Sequence, residues 1–497
     1  MRFALFALVS FFSLVSYAQQ RGEIVGYTLV QTLTADSFGV EVEQYTGFPG
    51  SVLGLEYDFK VFKVQYYTED YRPDSLTIAT GLVTLPTGYP CASGIMTFGH
   101  GFCLKDGEVP SNPGSIYGMI TKGIASNGFV GIAPDYIHLG VDASPGYQAF
   151  MNAKTEATAT VDLIRAAKTI AQIEGVDLTD QLFLSGYSQG GHSSFATARE
   201  IQLYHAGELT VTAVAPGGGT FDLAGVAADS LASNTRVTPE PHALCMIVRT
   251  YAEVYRDSLF NLNLPNDPAV AFDSVFRYPY DSLLALILDR NTNEYPNGRL
   301  DSIPVRMLTD TFRAQFQNDP NFYFRKLLAY NSLYDWTPQM PVNFYHSTAD
   351  IENPVSNVQF VMQVFEDNNA PDVQLTVISN ELSHNAAGLP YVILSLNYMR
   401  SKRVDCLTGA ENPALSQEIE WNIYPNPTQD FINVTFGAGL NGATLNVYTP
   451  KGEVVSSISL NANATEARLE IAKLAAGTYV VEVVTESSRL YRKVVKM

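Results

Sequence analysis

Positive charge is scarce in this sequence of 497 residues. Lysine and arginine number 31 against 50 aspartates and glutamates, which gives a net charge of -19 at pH 7. So acidic a chain repels phosphate groups, and we expect neither nucleic acid nor an anionic membrane surface as its main partner. Charged residues make up 16% of the chain and hydrophobic residues 46%, which indicates a large buried core, and the length allows two or three domains.

Long apolar runs are missing after the N-terminus. The one clear run, Phe3–Val15, follows Arg2 and precedes Ser16-Tyr17-Ala18, a small-x-small cleavage pattern. The run is too short to cross a membrane comfortably. The pattern therefore predicts a signal peptide over residues 1–18 and an exported chain with no stable membrane span. An uncleaved anchor is the less favoured alternative.

Cysteine is rare. In an oxidising compartment the four cysteines allow three pairings, and the sequence does not choose among Cys91, Cys103, Cys245 and Cys406. None of them belongs to a CxxC motif or to a Cys/His cluster with the spacing of a zinc site. We therefore expect no metal and no cofactor.

Short apolar strands alternate with helical segments through the middle of the chain. The strand-like runs are Leu76–Leu85, Gly94–Phe98, Phe129–Ala133, Leu182–Leu184, Leu209–Ala215, Val342–Tyr345 and Val373–Ile378. This alternation predicts an α/β fold, with a mostly parallel sheet covered by helices on both faces. Residues 23–70, by contrast, predict irregular structure with strand-like pieces, of which Phe59–Tyr67 is the clearest.

One of these strands leads into a motif that points to chemistry. Leu182-Phe183-Leu184 is followed by Gly186-Tyr187-Ser188-Gln189-Gly190, and then by a segment with helical character as far as about His205. A serine at a sharp strand-to-helix turn has a strained backbone, and the flanking glycines Gly186 and Gly190 let neighbouring chain segments pass closely. The helix that begins there directs free N–H groups at whatever the serine attacks. Ser188 is therefore the predicted nucleophile.

A nucleophilic serine needs a base. His384 alone follows the last core strand and precedes a long apolar helix, which places it in a loop at the edge where open α/β sheets build their sites. We predict His384 as the base. Of the others, His100 suits a role beside the oxyanion and His192 points away from the serine, and the remaining candidates are His138, His205, His242 and His346.

The base needs a carboxylate to orient it. Asp350 is the predicted residue, because it follows the strand Val342–Tyr345. It could instead cap the helix that begins near Pro354, and the alternatives for the acid are Asp335 and Glu381. Asp135, at the end of another strand, is predicted to be structural or to line the pocket.

Two backbone N–H groups are expected to stabilise an oxyanion. One belongs to Gln189, directly after the nucleophile. The other is that of Phe102, in the His100-Gly101-Phe102 loop after the Gly94–Phe98 strand. Glycine at position 101 lets the backbone approach a substrate, although a plain tight turn would have the same sequence.

A long interval interrupts the alternation. More than a hundred residues rich in aromatic side chains separate Ala215 from Val342, and within them Leu283–Leu288 and Phe322–Leu328 have helical patterns. The interval is too long for a loop. We predict a cap, inserted at about residues 225–338 over the active site, with a separate domain as the alternative.

The pattern of apolar and polar residues changes after Arg403. Residues 404–420 predict a linker, and residues 421–497 alternate between apolar and polar positions, as in Phe431-Ile432-Asn433-Val434. The one short segment with helical spacing is Glu466–Leu474. The pattern predicts a small all-β sandwich.

These motifs resemble those of a known superfamily. The chain order Ser188, Asp350, His384, with His100-Gly101-Phe102 and Pro134-Asp135-Tyr136 earlier in the chain, resembles the α/β-hydrolases, and among them secretory lipases and secreted esterases. The resemblance covers about residues 70–402, within a catalytic domain predicted over 19–403. It implies hydrolysis of a small-molecule or lipid-like ester through an acyl-serine intermediate, under a helical cap. One departure is Gly219-Thr220-Phe221-Asp222-Leu223, where relatives often carry a Gly-Pro-Tyr-Asp-Leu-like segment.

The C-terminal part resembles the type IX secretion sorting domain. Its marks are Ile423-Tyr424-Pro425-Asn426-Pro427, the later Gly477-Thr478-Tyr479 and the basic end Arg492-Lys493-Val494-Val495-Lys496. The resemblance implies that the type IX machinery is a partner. Export would proceed by the signal peptide and then across the outer membrane of a Gram-negative bacterium, with removal of the tail.

The sequence thus favours a secreted serine hydrolase that cleaves carboxylic esters. A peptidase of the prolyl-oligopeptidase type is an alternative, but it would need an N-terminal propeller or a longer β domain than the first 70 residues allow. A non-catalytic binding or adhesion protein on a hydrolase fold is another, and the intact set of candidate groups argues against it.

Overall fold

The computed structural model describes residues 19–47, 49–72, 74–255, 275–278, 298–404, 421–440, 443–449, 454–461, 463–475, 477–485 and 489–496. The chain forms two compact units, one of Met1–Ala35 with Glu56–Val404 and one of Asp36–Leu55 with Asp405–Met497. The predicted signal peptide and residues 405–420 of the predicted linker lie outside the described residues.

A nine-stranded sheet organises the first unit. Its strands are β1 (Ile24–Leu33), β2 (Asp58–Glu69), β3 (Leu76–Thr87), β4 (Ser93–Gly99), β5 (Val130–Pro134), β6 (Leu178–Tyr187), β7 (Val211–Gly217), β8 (Val342–Ser347) and β9 (Val373–Ser379). Their order across the sheet is β1-β2-β3-β5-β4-β6-β7-β8-β9. The pairs from β1 to β5 are antiparallel, and every pair from β5 to β9 is parallel. The predicted mostly parallel sheet is confirmed.

Helices flank the parallel strands. The described helices of the first unit are α2 (Ile116–Ser126), α3 (Ala153–Glu174), α4 (Gln189–Glu200), α5 (Ala228–Leu231), α6 (His242–Val254), α7 (Asp310–Asn318), α8 (Tyr323–Tyr330), α9 (Val355–Asp367) and α10 (His384–Lys402). Helix α1 (Ala35–Thr46), apart from its first residue, belongs to the second unit. Strands β4 and β5 are buried along their whole length, as is expected of central strands between two helical layers. Helix α3 shows clear end signals: the Asn152 side chain accepts from the N–H of Thr155, and Gly175 ends the helix with φ 72°.

Three sequence-based interpretations differ from the structure. Residues 23–70 are mostly regular, since β1, α1 and β2 occupy them. His384 is the first residue of α10 and not part of a loop. The segment with helical spacing in the C-terminal part also differs, because Ala464–Glu470 is a strand. The segment predicted to be helical as far as about His205 does reach that residue, since α4 continues as a π-helical turn over Ile201–His205.

The described part of the insertion between β7 and β8 is helical. Helices α5 to α8 share one apolar cluster with Phe102, Leu104, Phe150 and Met151 from the loops that follow β4 and β5. Helix α8 matches the helical pattern predicted at Phe322–Leu328. The other predicted helix of this interval, Leu283–Leu288, lies outside the described residues. The insertion therefore packs over loops at the carboxyl edge of the parallel strands.

The second unit contains the C-terminal strands. They are β10 (Trp421–Tyr424), β11 (Phe431–Leu440), β12 (Thr444–Tyr448), β13 (Val454–Ser459), β14 (Ala464–Glu470), β15 (Gly477–Val484) and β16 (Arg489–Lys496). They form antiparallel sheets of order β10-β11-β14 and β13-β12-β15-β16 around a core that includes Trp421, Leu445 and Val481. The predicted all-β sandwich is confirmed.

Candidate active site

The turn between β6 and α4 holds Ser188 in a strained conformation. Its φ of 61° and ψ of -121° are values that residues other than glycine rarely adopt, and its N–H donates to the Gly217 carbonyl at 2.9 Å. A Cβ on Gly186 would collide with the Gly190 carbonyl, and a Cβ on Gly190 with the carbonyl of Gly99. Both glycines that the motif predicts as supports are therefore sterically required.

Ser188, His384 and Asp350 lie in hydrogen-bond contact. Nε2 of His384 is 2.8 Å from Oγ of Ser188, and Nδ1 is 2.6 Å from Oδ2 of Asp350. The Tyr187 hydroxyl donates to the His384 carbonyl at 2.7 Å, and the two rings pack with centroids 5.1 Å apart. The imidazole is thus held from three sides, with one nitrogen on a serine and the other on a carboxylate.

Asp350 uses its two carboxylate oxygens for different tasks. Oδ1 accepts from the N–H groups of Glu352 and Asn353, both at 2.9 Å, and so fixes its own turn, while Oδ2 faces His384. The helix that follows, α9, has no side-chain hydrogen bond at its N-cap residue Pro354. The alternative in which Asp350 caps this helix therefore does not match the geometry.

The two alternative acids lie elsewhere. Asp335 pairs with Arg199 at 2.7 Å, and its side chain is 68% exposed. Glu381 is exposed just before α10. Since Nδ1 of His384 is already bonded to Asp350, neither residue contributes to the contact with the serine.

Carboxyl groups around His384 change its protonation. Burial favours the neutral imidazole, but the hydrogen bond to Asp350 and the charges of Asp350, Glu352 and Glu240 outweigh it and raise the pKa of His384 above its ordinary value. Burial, together with the neighbouring carboxylates, raises the pKa of Glu352 to about 7. Burial also raises the pKa of Glu240.

The loop after β4 lies opposite the turn that holds the serine. His100 is fully buried, with Nδ1 2.6 Å from the Gly101 carbonyl and Nε2 3.3 Å from the Asp135 carbonyl. Burial lowers the pKa of His100 to about 4, so this imidazole is neutral and shapes the loop. A Cβ on Gly101 would lie 2.8 Å from the Tyr117 hydroxyl and 3.7 Å from Cβ of Ser188, which shows how closely this backbone approaches the serine.

A cavity of about 120 Å³ opens beside Ser188. Gln189 and Phe102, the residues predicted to supply the oxyanion N–H groups, both line it. Gln189 is the first residue of α4, where a backbone N–H has no carbonyl of its own helix to donate to. The lining includes apolar residues, which we call the apolar wall, and polar residues, which we call the polar wall. The apolar wall contains Phe102, Phe150, Met151, Leu223, Leu244 and Ile247, and the polar wall contains Arg236, Glu240, Glu352 and Asn353.

The other candidates have structural contacts. Asp135 is fully buried and accepts from the Thr80 hydroxyl at 2.6 Å and the Ser111 N–H at 2.8 Å, and burial raises its pKa to about 6. Among the histidines, His192 contacts Glu156, and Nε2–H of His346 donates to the Asn353 carbonyl at 2.7 Å. The remaining three histidines lie in other segments. Nδ1 of His138 contacts the carbonyl of Ser144, His205 is the last residue of the π-helical turn and His242 is the first residue of α6.

The cysteines divide into two kinds. Cys91 is disulfide-bonded, whereas Cys103 and Cys245 are free and buried. Burial raises the pKa of both free thiols, that of Cys245 to about 12. Cys406 lies outside the described residues. In the described ranges no group of three or more His, Cys, Asp or Glu side chains is arranged to hold a metal ion.

Sequence reasoning missed the four residues of the polar wall, of which three carry ionisable groups. Arg236 and Glu240 precede α6 in the insertion, and Glu352 follows Asp350 by two residues. The guanidinium of Arg236 donates to the carbonyls of Ile351 and Glu352 and so ties the insertion to the turn that carries Asp350. Only the proximity of Glu352 to Asp350 in sequence could have indicated one of the three.

The fold and the site define the class of protein. A mostly parallel sheet, a serine on a strained strand-to-helix turn and partners that follow in the order Ser, Asp, His are the features of the α/β-hydrolase fold. LipA, the rice cell wall degrading esterase from Xanthomonas oryzae, is 23% identical, with a TM-score of 0.66 over 77% of this chain and 100% of its own. Candida antarctica lipase A is 15% identical, with a TM-score of 0.56 over 80% of this chain and 86% of its own.

Two families match parts of the chain. Residues 117–237, which include the Ser188 turn, match the secretory lipase family, and residues 422–497 match the secretion system C-terminal sorting domain. No curated protein matches the chain. The chain therefore has the α/β-hydrolase fold, and the part of it that carries the Ser188 turn is similar to secretory lipases. Its sorting domain directs it through type IX secretion to the cell surface or the medium. No helix in the described ranges has both the length and the apolar character needed to cross a bilayer.

Proposed function

We propose that this protein hydrolyses carboxylic esters through a Ser188–His384–Asp350 triad and an acyl-serine intermediate. The observation that carries the proposal is the continuous contact from Ser188 Oγ through the imidazole to Asp350, at 2.8 Å and 2.6 Å, with the serine on a strained turn. A nucleophile, a base and an orienting carboxylate in this contact are what acyl transfer to serine requires.

The reaction follows from these positions. His384 Nε2 takes the proton of Ser188 as Oγ attacks the ester carbonyl, and the N–H groups of Gln189 and Phe102 bind the resulting oxyanion. The imidazolium, stabilised by Asp350, then protonates the leaving alcohol. Water repeats the sequence on the acyl-serine, and the carboxylic acid and free serine are released. The raised pKa of His384 suits the proton transfer to an alkoxide leaving group.

The cavity indicates which esters suit the site. Its apolar wall accommodates a hydrocarbon or aryl acyl group. A volume of about 120 Å³, at the ~10–15 Å³ of cavity that each water needs, has room for roughly ten water-sized groups, which is fewer than a palmitoyl chain contains. We propose short-chain esters as the preferred substrates, which makes the enzyme an esterase more than a lipase.

The test is hydrolysis of p-nitrophenyl esters from acetate to palmitate by the chain from residue 19 onward. Ser188→Ala should lower kcat/KM at least about 10³-fold, since it removes the nucleophile. Ser194→Ala is the matched control, because this serine lies on the same helix and its hydroxyl donates only to the nearby Gly191 carbonyl at 3.0 Å. Turnover should be highest for the short esters and fall towards palmitate.

Two results would contradict the proposal. Equal activity of the Ser188→Ala variant and the parent chain would exclude Ser188 as the nucleophile. Cleavage of p-nitroanilides but not of the esters would favour the peptidase alternative. A palmitate optimum would leave the triad in place and overturn only the proposed preference for short chains.

A further inference from the structure

A buried carboxylate lies beside the serine turn and has no part in the proton relay. Glu156, in the first turn of α3, is 1% exposed. A buried carboxylate is strongly destabilising unless hydrogen bonds satisfy its oxygens. Those of Glu156 are satisfied by three groups that come from different parts of the site, and this arrangement requires an explanation.

Glu156 joins the nucleophile helix to the wall of the cavity. Its Oε1 accepts from the Gln189 side-chain amide at 2.9 Å and from the Met151 N–H at 3.1 Å. Its Oε2 is 2.7 Å from Nδ1 of His192, one turn further along α4. Met151 lines the cavity beside Ser188 and has a φ of 53°, which a residue with a side chain adopts only when its surroundings hold it there.

The same contacts extend into the insertion. Nε2–H of His192 donates to the Asn331 carbonyl at 2.9 Å, at the end of α8. The Asn331 side chain in turn accepts from the N–H of Ala153 at 3.0 Å and donates to the Tyr255 hydroxyl at 2.9 Å. Helix α4, the start of α3 and the end of α8 therefore share one buried polar network, whose interactions reinforce one another in a medium of low dielectric constant.

The side chain of Gln189 depends on Glu156. Gln189 is 4% exposed, and within the described ranges its Oε1 has no hydrogen-bond partner, so the bond from Nε2 to Glu156 is what fixes the amide. The backbone N–H of this residue is one of the two proposed oxyanion donors. An oxyanion donor is effective only within a few tenths of an ångström of its required position.

We propose that Glu156 is a positioning residue. It holds Gln189, and with it the backbone N–H of the oxyanion site, in the required position relative to Ser188. The inference rests on the proposed ester hydrolysis and adds to it a group that touches neither substrate nor the reacting atoms. Loss of Glu156 should weaken binding of the transition state more than binding of the substrate, and kcat should fall while KM changes little.

The experiment compares an ester with its thionoester, in which sulfur replaces the carbonyl oxygen. Sulfur is larger and accepts weaker hydrogen bonds, so a well-positioned oxyanion site discriminates strongly against it. In the full chain Glu156→Ala should reduce kcat on the oxygen ester by about 10- to 100-fold, less than the complete loss of a donor costs, and should reduce turnover of the thionoester less. The ratio of kcat/KM for the oxygen ester to kcat/KM for the thionoester should therefore fall.

Two further variants show whether Glu156 acts through Gln189. Gln189→Ala should lower the ratio in the same way, and the double variant should lower it no further, since both substitutions remove the hydrogen bond from Gln189 Nε2 to Glu156 Oε1. Glu156→Gln keeps an acceptor oxygen for Gln189 and should restore most of the ratio. The matched control is Glu200→Ala, which removes another buried carboxylate whose partners are Lys154 at 2.8 Å and His205 at 3.5 Å; its ratio should equal that of the parent chain.

The outcomes separate this inference from the proposed function. A parent chain that cleaves no ester overturns both. An active, Ser188-dependent enzyme in which Glu156→Ala reduces both substrates equally, or in which the effects of Glu156→Ala and Gln189→Ala add, overturns the positioning role alone. If Glu156→Ala does not fold, Gln189→Ala tests the inference instead, because it removes the other partner of the same hydrogen bond. An unchanged ratio in Gln189→Ala then overturns the inference.

Discussion

Three carboxyl groups act on one imidazole in this site. Asp350 bonds directly to His384, and Glu352 and Glu240 contribute through their charges. A base with a raised pKa accepts the serine proton more readily, but it is also protonated, and therefore idle, up to a higher pH. The acidic limb of the pH–rate profile thus reports how strongly the second and third carboxyl groups act.

Glu352→Gln is expected to move that limb to lower pH. Near its pKa of about 7 Glu352 is partly ionised and above it largely ionised, and there the substitution removes a negative charge that favours the imidazolium. The pKa of His384 should therefore fall, and the neutral base should persist in more acidic solution. The measurement is kcat/KM for a short p-nitrophenyl ester against pH. Glu366→Gln, the same change at an exposed position on α9, is the control and should leave the limb in place. A limb that is unchanged or displaced upward in Glu352→Gln would show that this carboxyl group does not act on His384.

The three residues in hydrogen-bond contact, Ser188, Asp350 and His384, could be predicted from the sequence, because each follows a core strand. Ser188 follows β6, Asp350 follows β8 and His384 follows β9, and the carboxyl ends of parallel strands meet at one edge of the sheet. Glu240 and Glu156 could not be found in this way. Glu240 reaches the site from the insertion. Glu156 lies within a helical pattern, and such a pattern does not distinguish a buried, hydrogen-bonded glutamate from a solvated one.

At the scale of elements, the packing of α4 against the sheet depends on glycine. The backbone of Gly190 passes so close to Gly99 and His100 that a Cβ would meet both of their carbonyl oxygens. This close approach lets the first turn of α4 lie against the end of β4, and so brings Gln189 and the loop with Gly101 to the same side of the serine. The spacing of the glycines is therefore a requirement of packing as much as of the turn.

Gly190→Ala should consequently destabilise the fold and remove activity together. Overpacking of this kind costs about 1–3 kcal/mol, and displacement of the first turn should reduce kcat/KM at least about 100-fold, since an ångström of misplacement is costly at a catalytic centre. Thermal unfolding and ester hydrolysis measure the two effects. Gly207→Ala is the control, because a Cβ at that glycine would meet nothing within 4 Å. Native activity in Gly190→Ala would contradict the role assigned to this contact.

The elements that sequence reasoning missed have weak local signals. Strand β1 is at the edge of the sheet and exposes Val25 (42%), Leu29 (49%) and Val30 (40%), so its apolar residues do not alternate with polar ones as in a half-buried strand. Helix α10 begins at His384 although Pro390 lies inside it. Proline lowers helix propensity so strongly that the pattern becomes visible only after it. In both cases tertiary contacts determine what the local sequence leaves open.

At the scale of the whole molecule, the candidate active site and the sorting domain belong to different parts of the chain. The residues of the site lie between positions 100 and 390, whereas the sorting domain occupies residues 422–497 and has an apolar core of its own, from Trp421 to Val494. The all-β part could be recognised from the sequence because its pattern is local. Its strands are short and alternate regularly, and the core is built by residues within that one segment.

Deletion of residues 422–497 should therefore abolish export and leave ester hydrolysis in place. In a Gram-negative host with type IX secretion, the truncated chain should accumulate between the two membranes, because the element that the machinery recognises is gone, while its p-nitrophenyl esterase activity persists in cell lysates. The full chain with Ser188→Ala is the complementary control and should reach the surface or the medium without activity, since its sorting domain is intact. Fractionation with immunodetection and the ester assay read the two properties independently. Truncated protein in the medium, or export that fails in Ser188→Ala, would contradict the assignment of transport across the outer membrane to the C-terminal domain.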